Sequence, residues 1–180
     1  MAAALPLVRT SGSAVTTKQI AEAAGIDEGT IFRVFPDKAT LITHVLETAL
    51  DAEPVAARIR AIDPEAPLAS RMVEAVEVLQ ERMAELISLI TALGAHRRPD
   101  PAPQAHARFE EADRCLNEAL EAVLSPDADQ LRKRPADVAR LLQLVTLSAT
   151  HPRLAHGPPL PPSEIVSLVL DVVRDRTPKR

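Results

Sequence analysis

The sequence predicts an all-α protein, and three observations carry that expectation. The 16 prolines act as punctuation, clustered at 99–103 and 158–162 with single joints at 36, 54, 64, 67, 126, 135 and 152. Between these breaks apolar residues recur at i, i+3 and i+4, and no alternating strand pattern occurs. Only three aromatics are present, Phe32, Phe35 and Phe109, so the core must be built from Leu, Ile, Val and Ala, which suits packed helices. With 180 residues, 46% hydrophobic and 26% charged, the chain has the apolar material for a real core in one compact domain, or in a small domain fused to a larger one.

Leu5–Thr10 is expected as one or two helical turns, with Pro6 tolerable in the first turn and Gly12 as the stop. Thr16-Thr17-Lys18-Gln19 has the form of a capping box, Thr16 serving as N-cap and Gln19 answering three residues on. Ile20, Ala21 and Ala24 supply the buried stripe of that helix, Gly25 sits where a left-handed C-cap is needed, and Ile26 is expected to plug the turn. Asp27 is placed to cap a second short helix, Glu28–Phe35, which Pro36 stops. Asp37 caps a third, whose Leu41, Ile42, Val45, Leu46, Ala49 and Leu50 form a packed stripe. A short piece then runs to Ile62, followed by a long helix from Leu68 to Leu93, roughly 40 Å at 1.5 Å per residue. Ala95–Pro103 reads as a loop, and Gln104–Leu124 as a helix followed by a charged connection holding Arg132-Lys133-Arg134. The last helices, Pro135–Thr150 and Ser163–Arg176, are apolar nearly all round and must be covered on both sides. One face goes to the chain's own core and the other to a partner subunit.

Two short helices joined by a tight Gly-containing turn are the helix-turn-helix arrangement that lays its second helix in the DNA major groove. From Ala4 to Leu46 the sequence resembles the N-terminal domain of TetR-type (TetR/AcrR) transcriptional regulators. The segment Thr16-Thr17-Lys18-Gln19-Ile20-Ala21-Glu22-Ala23-Ala24-Gly25-Ile26 is similar to the family's T-T-x-x-I-A-x-x-A-G-[VI]. Gly29-Thr30-Ile31-Phe32-Arg33-Val34-Phe35-Pro36-Asp37-Lys38-Ala39-Thr40-Leu41 is similar to its G-T-L-Y-x-x-F-x-x-K-x-x-L. Ala4-Leu5-Pro6-Leu7-Val8-Arg9-Thr10-Ser11-Gly12 resembles A-L-x-L-F-x-x-x-G. The first helix is shorter than the family's, and Phe32 lacks the hydroxyl of the family's Tyr; both departures predict weaker DNA binding than in a typical member.

The resemblance implies an N-terminal three-helix DNA-binding domain over residues 1–50 and a helical effector-binding and dimerisation domain over 51–180. It implies a ligand-responsive regulator, a repressor released from a palindromic double-stranded DNA operator by a small-molecule effector. DNA contacts are expected from Thr16, Thr17, Lys18, Glu28, Gly29, Thr30, Phe32, Arg33 and Lys38. Thr30 and Arg33 fall at bases or backbone, and Thr17 and Lys38 at phosphates. A hydroxyl and amides at a helix N-terminus are natural phosphate donors, and Arg33 is the residue of its helix able to grip guanine bidentately. Met72, Leu79, Met83, Leu86, Ile90, Phe109, Leu116, Leu120 and Leu144 could line an apolar ligand pocket, and are equally explained as plain core. Leu141, Leu142, Val145, Ile165, Leu168, Val169 and Val172 are expected at a homodimer interface. The alternative is an all-α dimeric small-molecule-binding or scaffold protein with a weakened DNA reader.

Other chemistry has little support. Glu74, Glu77, Glu81 and Glu85 line one face of the long helix, but without a Glu-x-x-His partner they read as a solvated face, not a metal site. The five histidines lack metal spacing, no phosphate loop or nucleophile elbow occurs, and Cys115 is single. No enzyme activity, cofactor or metal is expected. The apolar stretches are too short to span a bilayer, and a cytoplasmic location is expected.

Overall fold

The computed structural model of the chain describes residues 3–94 and 103–174, with the side chains of 103–106 left aside. Among the described residues there is no strand, only an isolated antiparallel bridge between Leu131 and Arg174. The helices are α1 (Ala4–Ser11), α2 (Thr17–Ala24), α3 (Glu28–Val34), α4 (Lys38–Leu50), α5 (Glu53–Arg60), α6 (Leu68–Ala92), α7 (Pro103–Leu124), α8 (Pro135–Thr150), α9 (Pro152–Ala155) and α10 (Pro162–Val173). Most boundaries follow the prolines: α5, α8, α9 and α10 carry Pro in the first turn, where the missing N–H costs nothing. Two 3-10 turns, Gly12–Ala14 and Ser125–Gln130, and the single turn of α9 were not expected from periodicity. The Ala95–Pro103 loop falls almost wholly outside the described residues, and Pro103 opens α7.

The chain divides into two compact units, one of Met1–Asp51 with Glu85–Glu110 and the other of Ala52–Ala84 with Glu111–Arg180. The first is built on Ala4, Val8, Val15, Ile20, Ala21, Ile31, Leu41, Val45 and Leu89, with Phe35, Ile42 and Leu46 packed against them. The short first helix is therefore a working part of this core: Val8 is fully buried and Arg9 Nη1 reaches Glu85 Oε1 at 3.4 Å.

The second unit packs α5, α6, α7, α8 and α10 around Ile59, Met72, Val76, Leu120, Leu142 and Ile165. A buried arginine ties its less regular parts together. Arg71, 3% exposed, donates to the carbonyls of Pro64 (2.6 Å) and Ala66 (2.9 Å) and forms an ion pair with Asp127. Gln130 donates to the other Asp127 oxygen at 2.6 Å, so the 125–130 turn is fixed from both sides. Gln80 Nε2 does similar work at the far end of α8, donating to Thr150 Oγ1 (3.1 Å) and to the carbonyl of Leu160 (2.9 Å). In each case an interior polar group meets the buried backbone or hydroxyl oxygens that irregular chain leaves over.

Three expectations for side chains are corrected. Ala24 is exposed and does not continue the Ile20–Ala21 stripe, and Ile26 is 46% exposed and does not plug the turn. Asp27 holds the N-cap position of α3 without a side-chain cap bond; its carbonyl accepts from Thr30 N at 2.9 Å instead. Of the residues named for a pocket, Met83 is half-buried, and Phe109 and Leu144 are 44% and 52% exposed.

Candidate nucleic-acid interface

The helix-turn-helix element is assembled by short-range rules. Thr16 Oγ1 accepts from the Gln19 amide at 3.1 Å, and Gln19 Oε1 accepts from the Thr16 amide at 2.9 Å, so both halves of the capping box are present. At the other end of α2, Gly25 is left-handed (φ 66°), and Gly25 N and Ile26 N bond back to Glu22 O (3.2 Å) and Ala21 O (3.0 Å). The chain then turns directly into α3, where Ile31 alone is buried.

Everything else on α3 faces outward or is partly covered. Gly29, Thr30, Phe32, Arg33 and Val34 are exposed, Phe32 at 49% and Val34 at 68%. Phe32 is thus a surface ring rather than core. Phe35 is half-buried against the first core, its ring 5.5 Å from that of His44. On α2, Lys18 is exposed and Thr17 half-buried, and Thr16 is exposed at the cap.

Asp37 starts α4 by accepting from the Thr40 amide at 2.7 Å. That bond, aided by the Thr40 hydroxyl, holds the Asp37 carboxyl below its ordinary range. A carboxyl whose folded pKa is depressed contributes stability above its unfolded pKa and loses it as pH falls through the folded value. The Thr40 amide shift, followed by NMR through an acid titration, is therefore expected to break below the pH at which an unstructured Asp titrates; a break at that pH or above would show that the cap does not form.

Two expected phosphate donors already have partners. Lys38 Nζ donates to the Ser13 carbonyl at 2.7 Å, bracing the turn after α1 against α4. Thr17 Oγ1 donates to Glu28 Oε1 at 2.5 Å, joining the first residue of α2 to the first of α3. Neither link was legible from spacing, because each joins residues on different helices. Over residues 1–51 the cations are Arg9, Lys18, Arg33 and Lys38, against Glu22, Asp27, Glu28, Asp37, Glu47 and Asp51, so this segment is net acidic.

The expected ligand-pocket residues are distributed over both units. Met72, Leu79, Leu116 and Leu120 are sealed in the second core, Leu144 is on the surface of that unit, and Leu86, Ile90 and Phe109 belong to the first. The second unit does carry an open groove of about 710 Å³, with Val73, Glu74 and Glu77 of α6 and Val166, Ser167 and Leu170 of α10 among its walls. Of the expected interface residues, Leu142, Ile165 and Val169 are 2% exposed or less and serve the chain's own core, Leu141 and Val145 are half-buried, and Leu168 and Val172 are 52% and 66% exposed. Glu74, Glu77, Glu81 and Glu85 are all exposed, and Arg58 pairs with Glu81 at 2.7 Å. Burial, with the neighbouring Glu53, pushes the Cys115 thiol up, away from a reactive thiolate.

The family model described as "Bacterial regulatory proteins, tetR family" matches residues 1–45. No curated protein sequence matches the chain significantly. Among solved structures, a transcriptional regulator from Rhodococcus sp. Rha1 aligns with TM-score 0.65 and 17% identity over 98% of this chain and 96% of that one. NalD, the secondary repressor of the MexAB-OprM multidrug efflux pump in Pseudomonas aeruginosa, aligns with TM-score 0.56 and 22% identity over 98% and 94%. The fatty acid degradation regulator FadR from Bacillus halodurans aligns with TM-score 0.60 and 15% identity over 95% and 94%. At such identities the structural matches establish the fold, and the family match rests on the helix-turn-helix segment.

Proposed function

We propose, from the match of residues 1–45 to the tetR family of bacterial regulatory proteins, that the chain is a ligand-responsive, DNA-binding transcriptional regulator. The observation that carries the proposal is α3, which buries Ile31 and turns Gly29, Thr30 and Arg33 outward. Residues 1–50 read DNA, and 51–180 dimerise and receive an effector. The protein acts in the cytoplasm as a homodimer on a palindromic operator, its two reading helices about one DNA turn, roughly 34 Å, apart. It is a repressor that a small molecule releases, and release requires the effector to bind the non-reading state more tightly than the reading one. No helix among the described residues is long and apolar enough to cross a membrane.

Fluorescence anisotropy with duplexes from upstream of the protein's own gene, at fixed salt, tests the reading. Saturable binding is expected, weakened roughly tenfold or more in Arg33→Ala if Arg33 grips a guanine. The acidic balance of residues 1–51 favours a second reading, an all-α dimer whose DNA reader is weakened. Weak binding that is blind to sequence and unchanged by Arg33→Ala would support that reading instead.

A further inference from the structure

We propose that Glu28 competes internally with DNA phosphate for the hydroxyl of Thr17, and so sets how tightly the head holds any duplex. The inference rests on the DNA-reading function proposed above. Thr17 Oγ1 donates to Glu28 Oε1 at 2.5 Å, and both residues are half-buried where the N-termini of α2 and α3 meet. A hydroxyl has one hydrogen to give, and a carboxylate has none. While Thr17 serves Glu28 it cannot donate to a phosphate, so the two partners exclude each other.

Lys38 shows the contrast. Its ammonium carries three donors, so the bond to Ser13 at 2.7 Å leaves others for a phosphate. Glu28 adds a second obstacle, because its negative charge stands on the helix that must enter the groove. A phosphate that captures Thr17 must break a charge-assisted bond and leave this carboxylate without its donor beside another anion. Tight binding is therefore reserved for sequences whose base contacts make up the difference, and binding to arbitrary DNA is suppressed. Glu28 is a positioning residue in this scheme: it acts through Thr17 rather than by reading a base.

The test measures binding of the full-length protein to its upstream duplex and to a scrambled duplex of equal length, by anisotropy at several salt concentrations. Glu28→Gln, Thr17→Val and the double variant are compared with wild type after circular dichroism confirms helical folds. Gln can donate its amide to Thr17 and free the hydroxyl hydrogen, so Glu28→Gln is expected to tighten both duplexes about tenfold, the size of one hydrogen bond to a charged group. Because the new contact is a neutral hydroxyl, the salt slope should stay near that of wild type. In the Thr17→Val background the gain should shrink to the smaller share that removing the Glu28 charge gives by itself.

A gain that persists in full with Val at position 17 would overturn the proposal, since charge removal alone would then explain it. Loss of binding to the upstream duplex with the scrambled one unchanged would overturn it in favour of Glu28 accepting from a cytosine amine. Wild type that binds, with Glu28→Gln no tighter, would overturn this inference and leave DNA reading intact. No saturable binding by wild type or by Glu28→Gln would overturn DNA reading itself.

Discussion

Gly12→Ala is expected to melt about 10 °C below the parent protein. Gly12 ends α1 with φ 55° and ψ −134°, a backbone region that residues with a Cβ avoid. A Cβ built there would overlap the carbonyl oxygen of Ala92 and lie 2.8 Å from its carbonyl carbon. The obstacle is helix backbone, which cannot swing aside as a flexible side chain could. Strained φ/ψ costs about 1–3 kcal/mol and overpacking about as much again, so a loss on the order of 4 kcal/mol is reasonable. For a chain of this size each kcal/mol moves the midpoint by about 2–4 °C. Gly25→Ala is the control: its φ is 66°, yet nothing lies within 4 Å of the added carbon, so only the left-handed conformation is penalised, at about 1–2 kcal/mol. Calorimetry of the two variants checks the ranking. Equal midpoints would show that the close approach of Gly12 to Ala92 is not rigid. Because Val8 and Leu89 belong to the same core, the damage should reach the seat of the reading helix.

That close approach marks the border of what local sequence rules can show. Helix starts written in capping and proline chemistry were legible: Thr16 with Gln19, Asp37 with Thr40, and Pro135 opening α8 each act within a few residues. The long α6 was legible because its apolar period is unbroken for 25 residues. Gly12 was readable as a stop, but not as a contact with Ala92, because pairing across 80 residues has no signature in one sequence. For the same reason the membership of Glu85–Glu110 in the first unit was hidden. The Thr17–Glu28 bond has no signature in the sequence, since each residue's chemistry limits its possible partners without ranking them. The expected ligand-pocket residues are spread over both units. Periodicity along α6 shows apolar residues but not which core each one serves: Met72 and Leu79 belong to the second and Leu89 to the first. On α8 and α10, periodicity showed apolar residues all round, and only packing decides which of them the chain keeps for itself.

That division decides the effect of charging α10. Leu168→Glu with Val172→Glu is expected to give a folded monomer that has lost high-affinity operator binding. In the single chain Leu144 and Leu147 of α8 and Leu168 and Val172 of α10 are 52%, 36%, 52% and 66% exposed, while Ile165, Val166, Val169 and Val173 of α10 are 3% exposed or less. The outward residues recur at i, i+3 or i, i+4, so each helix carries an apolar stripe opposite its buried one. α8 and α10 pack on each other, which brings two such stripes onto one unit. Covering a Leu or Val side chain yields about 1.5–3 kcal/mol, and a two-fold interface counts each residue twice. The double variant would instead place four carboxylates in that interface, where both desolvation and mutual repulsion oppose association. The fold should survive, because neither residue belongs to the subunit's own core; Val169→Glu, by contrast, should unfold the second unit. Sedimentation velocity at micromolar concentration reads the association state. Losing the link between two half-site contacts should weaken operator binding by about 10²–10⁴. A variant that still sediments as a dimer would move the interface off α10, and a monomer that binds the operator as tightly as wild type would end the two-half-site reading.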